Sequence, residues 1–214
     1  MQYSTALSDG LLALACLASA IWCLLGKGLA ADGLRHTRLY ICLGFVVPGI
    51  TAICGAIRYG FAPDWQPLHS TLSQISSFTS LPILGLAAFS LALVRNWGMN
   101  TWFTVPLILL LSYQITNLLY LRESWQLTLN MMALALIVSS AALRWWRPLL
   151  FAIASGVVTL FLLAGLVVGT EGFIGSLRRV DLFHGLLSLA YPLLAWLLLR
   201  LQGYARAEIP VKTL

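Results

Sequence analysis

The chain has 214 residues, of which 60% are hydrophobic and 9% charged. A water-soluble domain carries about 25% charged residues, so this composition cannot clothe a water-facing surface, and the solvent it implies is lipid. The net charge of +6 does not point to nucleic acid, because the thirteen Lys and Arg residues are scattered between apolar runs and form no patch.

A membrane-spanning helix needs about 20 mostly apolar residues. Seven runs qualify, at 5–25, 39–60, 68–94, 101–121, 126–143, 148–169 and 180–201. They predict an all-α membrane protein in which residues 1–214 form a single seven-transmembrane-helix bundle. The opening "MQYSTALSDG" lacks the basic region of a signal peptide, so the first run is expected to be kept as a helix. That run carries Asp9. The first two runs hold all four cysteines, Cys16, Cys23, Cys42 and Cys54, with no CxxC pair, which argues against a disulfide framework or a zinc ribbon. The second run ends "TAICGAIRYGF", placing Arg58 near its end.

The third run begins "HSTLSQISSFTS", where His69, Ser73, Ser76 or Ser77, and Ser80 make a polar stripe about three turns long. Small hydroxyl residues at this spacing commonly let helices pack closely, which is the role expected of Ser76 to Ser80. The fourth run presents Tyr113, Gln114, Asn117 and Tyr120, a face suited to hydrogen bonds between helices. The seventh begins "RRVDLFHGLL", so Arg178, Asp181, His184 and Ser188 share one helix face. Pro48, Pro82, Pro106 and Pro192 fall inside runs, where they can kink a helix.

The joints between runs are short, which makes neighbouring helices antiparallel. One side collects Lys27, Arg35, Arg38, Arg95, Arg144, Arg147, Arg200, Arg206 and Lys212; the other has only Arg58, Arg122, Arg178 and Arg179. The positive-inside rule then puts the N-terminus outside and the C-terminus in the cytoplasm, in a bacterial inner membrane or its equivalent. Trp97, Trp102, Trp145 and Trp146 at the inner ends, with Trp65 and Trp125 at the outer ends, fit interfacial aromatic belts. Asp9, Asp64, Glu123, Glu171, Asp181, His69 and His184 all fall at the outer end, so the polar chemistry gathers at one face.

A charge inside the membrane costs about 2.5–3.5 kcal/mol on insertion scales, so such residues usually turn inward and pair. Two imidazoles and a carboxylate are good zinc ligands, and three protein ligands with a water define a catalytic zinc. His69, Asp181 and His184 are the candidate metal ligands, with Asp9, Arg58 and Ser73 as candidate catalytic groups beside them. A bound zinc would lower the pKa of its water to near 7, and Asp9 would orient that water. The same residues also suit a metal-free role. Asp181 can cap its helix, His184 can sit at the interface, and Arg58 can pair with Asp181 or Asp9 to tie the bundle together.

The seven-helix outline, the outer polar cluster and "DLFHGLL" at the start of the last helix resemble the alkaline ceramidase and adiponectin-receptor superfamily. In that family's pattern a Ser and a His close helix two, an Asp follows, and HxxxH opens helix seven. The corresponding positions here are Cys54, Arg58, His69 and Val180, with His184 matching the second His of the last motif. The resemblance implies a zinc-dependent hydrolase of lipid amides or esters with its site at the N-terminal side of the bundle. The alternative is a non-catalytic membrane binding, sensing or scaffold protein whose polar cluster is structural or binds a small ligand.

Retinal chemistry is excluded, since the Schiff base needs a lysine in the last helix and the only lysines are Lys27 and Lys212. Haem is not expected from one His pair at one end of the bundle. A transporter would be expected to show repeat symmetry or broken helices, and no paired pattern is visible. The expected partner is membrane lipid; no nucleic acid is expected, and protein partners leave no trace in the sequence.

Overall fold

The structure, a computed structural model, describes residues 2–26, 35–95, 97–144 and 147–208, with side chains to 204 in the last segment. Among the described residues the chain forms seven α-helices and one small hairpin. The helices are α1 (Tyr3–Leu25), α2 (Arg35–Gly60), α3 (Gln66–Ala92), α4 (Met99–Leu118), α5 (Arg122–Ala142), α6 (Pro148–Leu162) and α7 (Arg179–Glu208). Six are long and apolar enough to cross a membrane, α6 when its continuation to Val168 is counted; α4 is not among them, its apolar run being diluted by Tyr113, Gln114, Thr116 and Asn117.

The four prolines lie inside α2, α3, α4 and α7, and each helix continues past its proline. The sixth run differs from its expected single helix. After Leu162 the backbone loosens into a π-helical turn, Leu163–Val168, closed by a hydrogen bond of 2.8 Å from the Gly169 N–H to the Ala164 carbonyl. The joint "GTEGFIGSLRR" folds as a hairpin, β1 (Phe173–Ile174) against β2 (Leu177–Arg178). Its two-residue turn starts at Gly175 with φ +61°, and Ser176 has no positive φ, as in the glycine-first hairpin turn. The last helix runs beyond 201 to Glu208. Lys27, Trp145, Trp146 and Lys212 lie outside the described residues.

α3 is the central helix, packed on α2, α5 and α7, while α1 lies between α2 and α7. Phe45, Phe78, Ile83, Leu84, Leu91, Ile137 and Leu194 are fully enclosed. A close crossing lies at Gly85: an added Cβ would lie 2.7 Å from the Ala133 carbonyl oxygen and 3.0 Å from its Cα, so α3 and α5 touch backbone to backbone. A small residue permits such an approach in a membrane bundle. α4 is peripheral, burying only Trp102 and Leu109.

Trp102 departs from its expected interfacial place. It is fully buried and stacked on Tyr40, with centroids 5.1 Å apart and planes at 18°. The reason is the loose seat of α4, which an aromatic stack anchors to α2. At the same end Arg144 is buried and donates to the Ala92 carbonyl at 3.1 Å. Trp65 and Trp125 lie on the outside of the bundle, as expected of belt residues.

Candidate functional site

The starts of α1, α3, α5 and α7 meet the ends of α2 and α6 around one cavity of about 640 Å³. This is within the range of about 300–1,000 Å³ typical of ligand pockets. Asp9, His69, Ser73, Asn130 and His184 contribute polar atoms, and Leu12, Leu81, Leu134, Phe161 and Leu187 supply apolar wall. The serines of α3 line it in descending order, Ser73, Ser76, Ser77 and Ser80. Their stripe therefore faces the cavity rather than only a helix contact. Ser76 and Ser80 hydroxyls pair at 3.2 Å, and Ser77 donates to the Gln74 carbonyl at 2.8 Å.

Asp9 sits at the centre of the polar group and is 1% exposed. Its Oδ1 lies 3.3 Å from His184 Nδ1. Ser8 Oγ stands 3.2 Å from the same nitrogen and 3.3 Å from Asp181 Oδ1, so α1 and α7 are joined through Ser8, Asp9, Asp181 and His184. An ionised carboxylate can only accept. With Asp9 ionised, His184 therefore carries its proton on Nδ1 and keeps the lone pair on Nε2.

The second imidazole has the opposite tautomer. Arg58 donates to His69 Nδ1 at 3.0 Å. A guanidinium has no lone pair to offer, so the proton of neutral His69 is on Nε2. Arg58 also lies over the Tyr59 ring, 4.5 Å from its centroid. The direct contacts of Arg58 are His69 and Tyr59, while its charge also acts on the Asp9 carboxylate across the site.

The two halves of the site meet at Gly55. A Cβ built there would lie 2.5 Å from Asp9 Oδ2 and 2.9 Å from His69 Nε2. Asp9 Oδ2 is buried and has no hydrogen-bond partner. Leaving a buried acceptor unmatched costs about 1–3 kcal/mol, more for a charged group.

Of the residues singled out in the sequence, Asp9, His69, His184 and Ser73 line one cavity, and Arg58 and Asp181 support it from behind. Ser8 was not anticipated. Only its place beside Asp9 could have signalled it. On α4, Tyr113 makes the expected bond between helices, donating to Gln74 at 2.6 Å, whereas Tyr120 is 96% exposed.

The expected zinc ligands His69, Asp181 and His184 are each held by protein partners in this geometry. His69 presents an N–H over Gly55 rather than a lone pair, and Asp181 is engaged by Ser8. Among the described residues no three His, Cys, Asp or Glu side chains come together as a group able to hold a metal ion. No protein-family profile, no curated protein and no solved structure matches the chain.

Proposed function

We propose that this chain is an integral membrane protein of seven transmembrane helices, N-terminus outside and C-terminus cytoplasmic, that binds part of a membrane lipid in its outer cavity. α4, though less apolar, has 20 residues, about 30 Å of helix, enough to span. The excess of Lys and Arg on the joints of the opposite end supports the orientation.

The observation that carries the binding reading is Asp9. A buried carboxylate in a cavity whose wall is part polar, from Asp9 and His184 down the α3 serines, and part apolar, from Leu12, Leu134, Phe161 and Leu187, suits an amphiphile whose polar end is drawn inward. A photoreactive lipid analogue in proteoliposomes tests this. Crosslinks should concentrate on cavity residues such as Leu134, Phe161 and Leu187. Labelling spread evenly over the outer apolar faces, including Leu14 and Leu118, would refute it.

A second reading, a membrane hydrolase, draws support from the Asp9–His184 contact. A carboxylate on one imidazole nitrogen orients the ring and makes the other nitrogen more basic, as in general-base and metal sites. It predicts turnover of lipid amides or esters that is lost in His184→Ala.

A further inference from the structure

We infer that the polar end of the lipid enters the cavity from the side, through a gap between the outer half of α5 and the π-helical turn that follows α6, while its chains stay in the outer leaflet. This deepens the lipid-binding reading and rests on it.

One face of α5, carrying Glu123, Gln126, Asn130 and Leu134, lines the cavity. The inner half of this helix packs as a bundle helix should, with Ala133, Leu134, Ile137, Ser140 and Ala141 buried. Between Arg122 and Met132 no residue is buried. The π-helical turn on the other side of the gap is as loosely seated. Gly165 lines the cavity, yet a Cβ added there would meet nothing within 4 Å, and Leu166 lines it while 58% exposed. The short joint between Ala142 and Pro148 ties the inner ends of α5 and α6, so the two helices part toward the outer end.

The gap is apolar at its rim and polar behind it. Leu127 of α5, 47% exposed, and Leu166 of the turn form the rim. Behind them Gln126 and Asn130 stand one turn apart on α5, half-buried, with the exposed Ser73 on the α3 wall. Asn130 is about 12 Å along α5 from Arg122, well inside a hydrocarbon layer of about 30 Å. Acyl chains filling the gap would leave these amides and hydroxyls without partners, because hydrocarbon offers no hydrogen bonds. A lipid with its head inward and its chains outward suits both surfaces. The head meets Ser73, Gln126 and Asn130, and the chains pass between Leu127 and Leu166. Entry from the outer aqueous face would instead carry the chains past Glu123 and Thr170, at the outer ends of the same elements.

Two photoreactive lipids in proteoliposomes test the entrance, one with its diazirine beside the headgroup and one with it midway along a chain. On the wild-type chain the head probe should mark Leu134 and Leu187 in the cavity. The chain probe should mark Leu127 and Leu166 above Leu14 and Leu118 on the outer faces. Gly165→Trp, whose side chain starts in open space, should cut head-probe labelling of the cavity several-fold, while Leu14→Trp should leave it unchanged. The comparison of the two probes needs only the wild-type chain, so a poorly folded Gly165→Trp would not spoil the test. If the head probe marks the cavity but the chain probe falls evenly on the outer faces, or a folded Gly165→Trp labels as wild type does, the side entrance is overturned and lipid binding stands. If the head probe does not mark the cavity, both are overturned, and water alone fills the gap.

Discussion

Replacing Gly85 with alanine tests the contact between α3 and α5 that walls the cavity. The added Cβ would lie 2.7 Å from the Ala133 carbonyl oxygen and 3.2 Å from its carbonyl carbon. These are backbone atoms of a helix, so no rotamer change relieves the clash. Restoring an ordinary contact of about 3.5 Å requires the helices to part locally by roughly 0.8 Å. Overpacking of this kind costs about 1–3 kcal/mol, and the better helix propensity of alanine returns at most about 1 kcal/mol. A net loss of up to about 2 kcal/mol follows when alanine returns its full propensity. Gly156→Ala is the informative comparison, because its new Cβ would meet only the end of the partly exposed Leu193 side chain, at 3.2 Å. It should lose less. Gly10→Ala, in open space, should gain the propensity term alone. Thermal unfolding of the three variants in one detergent, followed by tryptophan fluorescence, gives the order. If Gly85→Ala is as stable as Gly10→Ala, the close approach of α3 and α5 is wrong.

Three further outcomes follow from the site and its supports. Ser8→Ala removes the hydroxyl that touches both Asp181 and His184 and should cost about 1 kcal/mol in the same unfolding assay. Arg58→Ala frees His69 to change tautomer and should reduce photolipid labelling of the cavity several-fold while leaving the chain folded. Tyr113→Phe and Gln74→Leu should show a coupling of about 0.6 kcal/mol, and at most about 1.7, in a double-mutant cycle, since one hydrogen bond joins these residues across α3 and α4.

The helices were legible because apolar runs of membrane length are a strong signal, and most helix ends fell within a few residues of the expected places. The π-helical turn after Leu162 was not, since "LLAGLVVG" reads as uninterrupted apolar sequence and the looser winding is a matter of hydrogen-bond register. Trp102 was misplaced for a related reason. A tryptophan near a helix start looks the same whether it faces headgroups or stacks on Tyr40. The gathering of Asp9, His69 and His184 at one end was readable from short joints and antiparallel order. Which atoms pair was not. The geometry sets Asp9 against His184 and Arg58 against His69, and it makes Gly55 the floor between them. A glycine without a side chain gives no sign in sequence of what rests on it.

Native mass spectrometry of the protein released from mild detergent tests the central claim most directly, because bound lipid and bound metal both appear as added mass. The account predicts about one lipid-sized adduct per chain in wild type, depleted in Gly55→Ala and unaffected in Gly10→Ala, with no zinc adduct. A bare chain, or adducts indifferent to Gly55→Ala, would contradict it. One zinc per chain, lost in His184→Ala, would instead make the hydrolase reading the stronger one.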